Sequence, residues 1–256
     1  MSGTAGAGPE PAGPPGRTAP LLLILPALLA PLALWLAAAS GRSFTLPLLA
    51  TAAIYPVFAA FLLAGRPLAA ATAAVLWAGS LSASIIAVTM ADPARLAPVI
   101  VNGPAYRDEM ISWVATGIGR ESDPARFIPQ HLLHLAAFIL LALVSAGLLG
   151  LLLGAVLVGY MSFYVGVLAS GPEPMHGALF GWPPYAVIRV VAYIVLGTVL
   201  ARPLLGRLTR RTLPPIAARR WLGVAAALLL LDLVLKTLVA ARWAAYLRPC
   251  LPGDAP

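Results

Sequence analysis

The sequence has little charge. Only 10% of its 256 residues are charged, against about 25% in ordinary soluble domains, whereas 61% are hydrophobic. The mean hydropathy is +0.91, and a soluble core cannot bury that much apolar surface. The composition therefore excludes an ordinary soluble domain and favours a bilayer as the solvent of this chain.

Cysteine and histidine are also scarce. Cys250 is the only cysteine, which excludes an intrachain disulfide and a multi-cysteine metal cluster. The sequence has no His-Glu-x-x-His zinc motif, no serine-nucleophile pattern, no P-loop and no Gly-x-Gly-x-x-Gly motif. None of these catalytic motifs therefore supports an enzymatic function for this chain.

Long apolar runs dominate the chain, and about 20 mostly apolar residues suffice to cross a bilayer. We predict seven spans, at about 20–40, 45–64, 68–90, 131–149, 150–169, 183–205 and 221–244. The segment from His131 to Ala169 would be roughly 58 Å long as one helix, so it must turn back. The turn is predicted near Gly147, Gly150 and Gly154, whose spacing also suits close helix packing. If the segment were a single span, the count would be six.

The predicted fold is an all-α polytopic transmembrane helix bundle that forms one domain over residues 20–248. Residues 1–19 are rich in Gly, Pro and Ala and are predicted to be disordered, and residues 249–256 form a short tail. The run at 20–40 has an alternative interpretation as a cleaved signal peptide, since Arg17 precedes it and alanines follow its apolar part.

The segment 91–130 is the one sizeable polar stretch between spans. Its apolar side chains recur at helical spacing, which predicts an amphipathic helix at the membrane interface. These side chains are Tyr106, Met110, Trp113, Val114 and Ile118. An Asp-Pro pair begins at Asp92 and again at Asp123, and each is typical of a helix start.

Arginine is concentrated in one connection, which marks a cytoplasmic loop. The six residues are Arg202, Arg207, Arg210, Arg211, Arg219 and Arg220. We therefore predict a multi-pass protein of the cell inner membrane with a cytoplasmic amino terminus, and with 91–130 and the carboxyl terminus outside. The net charge of +8 is concentrated between apolar runs, so the expected partner is membrane lipid and not nucleic acid.

Three charged residues lie inside the last two predicted spans, away from the span ends: Arg189, Asp232 and Lys236. Each costs roughly 2.5–3.5 kcal/mol at the centre of a membrane helix, so all three are candidates for function. Asp232 and Lys236 are four residues apart and suited to pair, and Arg189 can reach the same carboxylate from the neighbouring helix. Two cations against one anion predict a positive pocket that opens outward and suits a phosphate or carboxylate. The alternative is a structural ion network that joins the two helices.

The three histidines, His131, His134 and His176, all fall at the predicted outer face. With Glu109, or with another acid of the outer loops, they would form a ligand set for zinc or a similar divalent metal ion. The simpler interpretation is that interfacial histidines contact water and headgroups.

Three functions follow from these patterns. The leading interpretation is binding or transport of an anionic or lipid-like ligand at the pocket of Arg189, Asp232 and Lys236, for which we expect no cofactor. The second is a membrane-embedded enzyme that uses a divalent metal at the histidines, with Glu109 as acid or base. The third is a scaffold or subunit, which needs a membrane-protein partner or a second copy of the chain.

Overall fold

The computed structural model describes residues 19–253, and every regular element in that part of the chain is helical. The helices are α1 (Ala19–Ser40), α2 (Thr45–Leu63), α3 (Pro67–Ala91), α4 (Pro93–Leu96), α5 (Gly103–Thr116), α6 (Pro124–Val144), α7 (Leu148–Leu168), α8 (Pro174–Phe180), α9 (Pro184–Leu200), α10 (Arg202–Thr209) and α11 (Ala218–Leu247). A short 3-10 turn, Arg248–Cys250, follows α11. The predicted disordered segment 1–19 lies outside the described residues except for Ala19, and the predicted tail is described as far as Gly253.

Seven segments between residues 19 and 253 are long and apolar enough to cross a membrane. Five of them correspond to α1, α2, α3, α6 and α7. The sixth in chain order is Pro174–Thr209, which contains α8, α9 and α10, and the seventh is Ala218–Cys250, which contains α11 and the turn after it. The prediction of an all-α transmembrane bundle with seven candidate spans is therefore confirmed.

Helices α6 and α7 form the hairpin that the long apolar segment predicts. Residues 145–147 join them, and both Ala146 and Gly147 have left-handed backbones, with φ of 53° and 89°. A Cβ atom on Gly147 would lie 2.9 Å from the Cβ of Ala201, so a larger side chain does not fit without movement. The reversal occurs slightly earlier in the chain than predicted because these two residues carry it.

The two Asp-Pro pairs begin helices as predicted. The carboxylate of Asp92 accepts a backbone N–H at the start of α4 at 3.2 Å, and that of Asp123 does so at the start of α6 at 3.0 Å. Helix α6 thus begins at Pro124, whereas the predicted span begins at 131. His131 and His134 consequently lie inside α6 rather than at its first turn.

The amphipathic helix predicted within 91–130 is α5. Its residues Met110, Trp113 and Val114 are buried against α7 and α11, whereas Ile118 lies beyond the helix end and is exposed. The apolar face of α5 therefore covers one end of the bundle.

The amino-terminal half of the bundle is packed through small residues. Ala30 and Ala37 of α1 and Ala74 of α3 are fully buried where these helices meet. The hydroxyl of Ser80 donates a hydrogen bond to the carbonyl of Ala27 across the same contact, at 2.6 Å. Small side chains let membrane helices approach closely, and a polar hydrogen bond adds to the contact. Helix α1 is thus an integral part of the packed core.

The connections between spans fall at two ends of the bundle. The arginine end contains residues 64–66, 145–147 and 201–217, and a Cβ on Gly65 would lie 2.7 Å from Pro214, so these loops touch. The acidic end contains residues 41–44, 92–123 and 169–183 together with the turn after α11. There the guanidinium of Arg248 donates a hydrogen bond to the carbonyl of Val114 at 3.3 Å.

Candidate functional site

Arg189 of α9 and Asp232 of α11 form a bidentate ion pair. The Nε and Nη2 atoms of Arg189 lie 2.8 and 2.9 Å from the two carboxylate oxygens of Asp232. Helices α9 and α11 pack along each other, and the Asp232 side chain is only 2% exposed. Paired N–H···O bonds of this kind are the strongest and most directional contacts between arginine and a carboxylate. The structure therefore brings these two predicted residues together.

Lys236 pairs with a loop residue that the sequence pattern does not single out. Its ammonium lies 2.8 Å from a carboxylate oxygen of Glu121, and the hydroxyl of Tyr185 donates to the other oxygen at 3.3 Å. The ammonium also lies 4.7 Å from the centre of the Phe127 ring, a favourable cation–π distance. The Lys236 side chain is 1% exposed. Its partner is thus Glu121 and not Asp232, the expected partner on the same helix.

The site consequently contains two cations and two anions. The expectation of a net positive pocket requires correction, because Glu121 supplies the second carboxylate. A buried ammonium without a counter-charge is costly, so the fold brings an acid from the loop between α5 and α6 to Lys236. The signal for this in the sequence is the excess of one cation among Arg189, Asp232 and Lys236, the charges away from the ends of the last two spans. That excess requires an acid but does not identify it.

The loop that carries Glu121 is held by its neighbours in the chain. The indole N–H of Trp113 donates to the hydroxyl of Ser122 at 2.7 Å, and Arg120 lies 3.1 Å from Glu109 in an ion pair. Asp123 then caps α6. These contacts hold the residues on both sides of Glu121, and so they help to place its carboxylate against Lys236.

His131 and His134 lie beside the same cluster. The Nδ1 atom of His131 lies 2.8 Å from the carbonyl oxygen of Phe127 on its own helix. Its Nε2 atom is buried, has no hydrogen-bond partner among the described residues, and lies 4.0 Å from a carboxylate oxygen of Asp232. Of the three histidines, His131 is therefore the one whose ring lies within 4.0 Å of a carboxylate of the ion pairs.

The other two members of the proposed metal set lie elsewhere. His176 belongs to α8, where its ring packs on Tyr246 with 4.4 Å between centroids, and Glu109 is occupied by Arg120. In the described range, 19–253, no three His, Cys, Asp or Glu side chains are placed to share a metal ion. The structure thus does not assemble the predicted ligand set, and a divalent metal remains a prediction from the sequence.

A small polar cavity adjoins the cluster. It measures about 70 Å³, which accommodates a few water molecules but not a drug-sized ligand. Its polar wall is formed by Tyr106, Glu121, Gln130, His131, His134, Tyr160, Arg189 and Tyr193. Burial, and then the Glu121 carboxylate, raises the pKa of Tyr106 well above its ordinary value, so this hydroxyl remains neutral.

A second cavity, the lateral crevice, runs between α6 and α11 and measures about 210 Å³. Its walls are the aliphatic side chains of Ile128, Leu132, Leu135, Leu229, Leu230 and Leu233. Arg189, Asp232, His131 and Tyr193 form its polar part. Leu132 and Leu230 are 61% and 62% exposed on the outside of the bundle, so the crevice opens toward the surface that lipid covers.

The crevice and the polar cavity meet at Arg189, His131 and Tyr193, which line both. A guanidinium has five N–H donors, and Asp232 accepts two of those of Arg189, which leaves three. No other acceptor for Arg189 is found among residues 19–253.

No protein-family model, no curated protein and no solved structure matches this chain.

Proposed function

We propose that this protein binds an anionic, lipid-like ligand at the Arg189–Asp232 pair. The polar end of the ligand contacts Arg189, and its apolar chain lies in the lateral crevice. One observation carries the proposal: a guanidinium with free N–H groups lies with Asp232, His131 and Tyr193 at the polar part of a crevice whose remaining walls are aliphatic. At about 210 Å³ the crevice is smaller than pockets that enclose a whole ligand, which fits a chain that continues into the bilayer.

The charge of the cluster limits the ligand. Arg189 and Lys236 balance Asp232 and Glu121, so these four charges cancel. Binding a single negative charge is therefore less costly than binding two, since Asp232 repels any added anion. This favours a carboxylate or a phosphodiester over a doubly charged phosphate ester. The free N–H groups of Arg189 are suited to a carboxylate and to a phosphodiester, because each of these groups presents two oxygens on one atom.

Lys236 supports the site rather than contacting the ligand. Its ammonium is enclosed by Glu121 and the Phe127 ring, and it lines neither the crevice nor the polar cavity. It holds the loop with Glu121 beside the polar cavity. The ligand contact is thus assigned to Arg189, with Asp232 holding the guanidinium in place.

We infer that the arginine end faces the cytoplasm of a bacterial-type inner membrane and that the acidic end faces outward. The residues of the arginine end include no Asp or Glu, and basic loops are retained on the cytoplasmic side. The amino terminus is then cytoplasmic and the carboxyl terminus is outside. Arg189 is five residues after Pro184, about 8 Å along α9, so the crevice lies in the outer half of the bilayer.

The test compares palmitate with hexadecanol, which has the same chain and no charge. Detergent-purified protein is titrated with each at pH 8, and binding is measured by native mass spectrometry and by the shift in unfolding temperature. The Arg189→Leu/Asp232→Leu variant removes the proposed contact without leaving a lone buried charge. The Glu121→Leu/Lys236→Leu variant is the matched control, since it removes the other ion pair and leaves the crevice walls intact.

We expect wild type and control to bind palmitate, and the Arg189→Leu/Asp232→Leu variant to bind it about tenfold more weakly or worse, as the loss of a charge-assisted hydrogen bond implies. Hexadecanol should bind all three proteins weakly. Equal binding of palmitate to the three proteins, or equal binding of palmitate and hexadecanol to wild type, would reject the proposal.

A further inference from the structure

The arginine end of the bundle contains a larger cavity than either of those described above. It measures about 580 Å³, lies between α10 and the loop of residues 210–217, and is widely open to the outside. Four arginines line it: Arg202, Arg207, Arg210 and Arg211. Leu213 and Ile216 form an apolar side of the same cavity.

These four guanidinium groups have no carboxylate near them among residues 19–253. None of the four forms an ion pair with any residue in the range 19–253. The sequence explains this, because it contains no Asp or Glu between Glu173 and Asp232. The cavity therefore carries a concentrated positive charge that the described part of the protein does not balance.

Arg202 is the buried member of the group. Its side chain lies at the start of α10, and the residue is only 9% exposed. One guanidinium nitrogen, Nη2, donates to the carbonyl oxygen of Pro214 and so holds the loop across the cavity. The other, Nη1, is buried and has no partner among the described residues. A buried charged donor without an acceptor is costly, so this atom requires an oxygen that residues 19–253 do not supply.

Arg210 and Arg211 are placed by the end of α10. The N–H of Arg210 bonds to the carbonyl of Arg207 at 3.2 Å and that of Arg211 to Gly206 at 3.0 Å, which together form a Schellman motif. The motif requires a left-handed residue, usually glycine, and here that residue is Arg210 with φ of 53°. An arginine in this position is strained, and it borders the cavity together with Arg211.

We propose that this cavity is a binding site for a phosphate-bearing group, supplied by an anionic phospholipid of the adjacent leaflet. Arginine binds phosphate through paired N–H groups, and basic pockets between membrane helices are suited to phospholipid headgroups. The apolar side formed by Leu213 and Ile216 accommodates the glycerol and the first part of the acyl chains. This site is separate from the Arg189–Asp232 pair at the other end of the bundle, and does not depend on the function proposed there.

The test uses delipidated, detergent-purified protein. Binding of phosphatidylglycerol and of phosphatidylcholine is measured by native mass spectrometry, and inorganic phosphate is added in a parallel series. The key variant is Arg207→Gln/Arg211→Gln. Its matched control is Arg219→Gln/Arg220→Gln, which removes the same charge from the same connection but does not alter the cavity lining. The Arg189→Leu/Asp232→Leu variant reports on any phosphatidylglycerol that binds at the acidic end.

A second variant separates binding from folding. Arg210→Gly places the preferred residue at the left-handed position and removes one guanidinium from the cavity. We expect this variant to unfold at the same temperature as wild type or higher, and yet to bind the phospholipid less well. A loss of binding that occurs without a loss of stability cannot result from misfolding.

We expect phosphatidylglycerol to bind wild type, the Arg219→Gln/Arg220→Gln control and the Arg189→Leu/Asp232→Leu variant alike, and to bind the Arg207→Gln/Arg211→Gln variant about tenfold more weakly. Phosphatidylcholine should bind weakly to all. If inorganic phosphate binds with the same dependence on Arg207 and Arg211 while phosphatidylglycerol does not, the site holds phosphate but takes it from solution. Equal losses in the variant and its control, or no binding of either probe, would overturn the proposal.

Discussion

Arg189 and Asp232 are 43 residues apart in the sequence and meet through two parallel hydrogen bonds of 2.8 and 2.9 Å. This pair joins α9 to α11, and the second pair, Lys236 with Glu121, joins α11 to the loop before α6. The two pairs therefore connect three segments of the chain through groups that are costly to bury alone. Removal of either pair should affect folding, whereas only removal of the Arg189–Asp232 pair should also weaken ligand binding, and the two effects can be measured separately.

The first prediction concerns the stability of the Arg189–Asp232 pair. Asp232→Leu leaves the guanidinium of Arg189, whose side chain is only 21% exposed, without its partner, which costs about 3 kcal/mol, whereas Arg189→Leu/Asp232→Leu should cost less than Asp232→Leu alone. Unfolding by sodium dodecyl sulfate in mixed micelles measures both. If the losses of Arg189→Leu and Asp232→Leu simply add in the double variant, the pair is not energetically coupled.

The second prediction concerns the shape of the lateral crevice. Leu132 lines the crevice, whereas its neighbour Leu133 does not, and both are largely exposed, at 61% and 68%. Leu132→Trp should fill part of the crevice and weaken palmitate binding about tenfold, since the added ring occupies the space of the chain. Leu133→Trp is the control and should bind as wild type does. Equal binding by both variants would show that the ligand does not occupy the crevice.

The third prediction compares two adjacent residues in the α6–α7 turn, both with left-handed backbones. Gly147→Ala should destabilise the protein by about 2 kcal/mol or more, because the new Cβ meets Ala201 and the left-handed backbone is unfavourable. Ala146→Gly should change stability by less than about 1 kcal/mol, because the relief of strain in the left-handed backbone offsets the loss of a buried methyl group. Unfolding in mixed micelles again provides the measurement. Similar losses in the two variants would contradict the role of Gly147.

The fourth prediction concerns orientation. Cys250 is fully buried, so the unmodified protein should not react with a membrane-impermeant maleimide. In intact cells, Asp108→Cys at the acidic end should be labelled, whereas Thr212→Cys at the arginine end should be labelled only after the membrane is opened. The reverse pattern would invert the topology and place the crevice in the inner half of the bilayer.

Much of the fold was predictable because it depends on local chemistry. The hairpin of α6 and α7 follows from an apolar segment that is too long for one span, and the starts of α4 and α6 follow from Asp92 and Asp123 followed by proline. The site was predictable only in part. The proximity of Arg189 and Asp232 follows from two isolated charges in neighbouring spans, whereas Glu121 lies in a loop that offers several acids. The pattern of three histidines also did not predict that His176 packs on Tyr246, away from His131.

The sequence by itself determined that the chain is suited to a bilayer, that it is helical and that it has seven candidate spans. It also identified Arg189 and Asp232 as two charges that could pair. These properties depend on hydropathy, length and the cost of an isolated charge in a bilayer, all of which can be judged within single spans of about 20 residues. Only the tertiary structure decided which acid neutralises Lys236, how far apart the histidines lie, and where the crevice opens. Each of these depends on which helices are neighbours in space, and that is settled by the packing of whole helices and the loops between them.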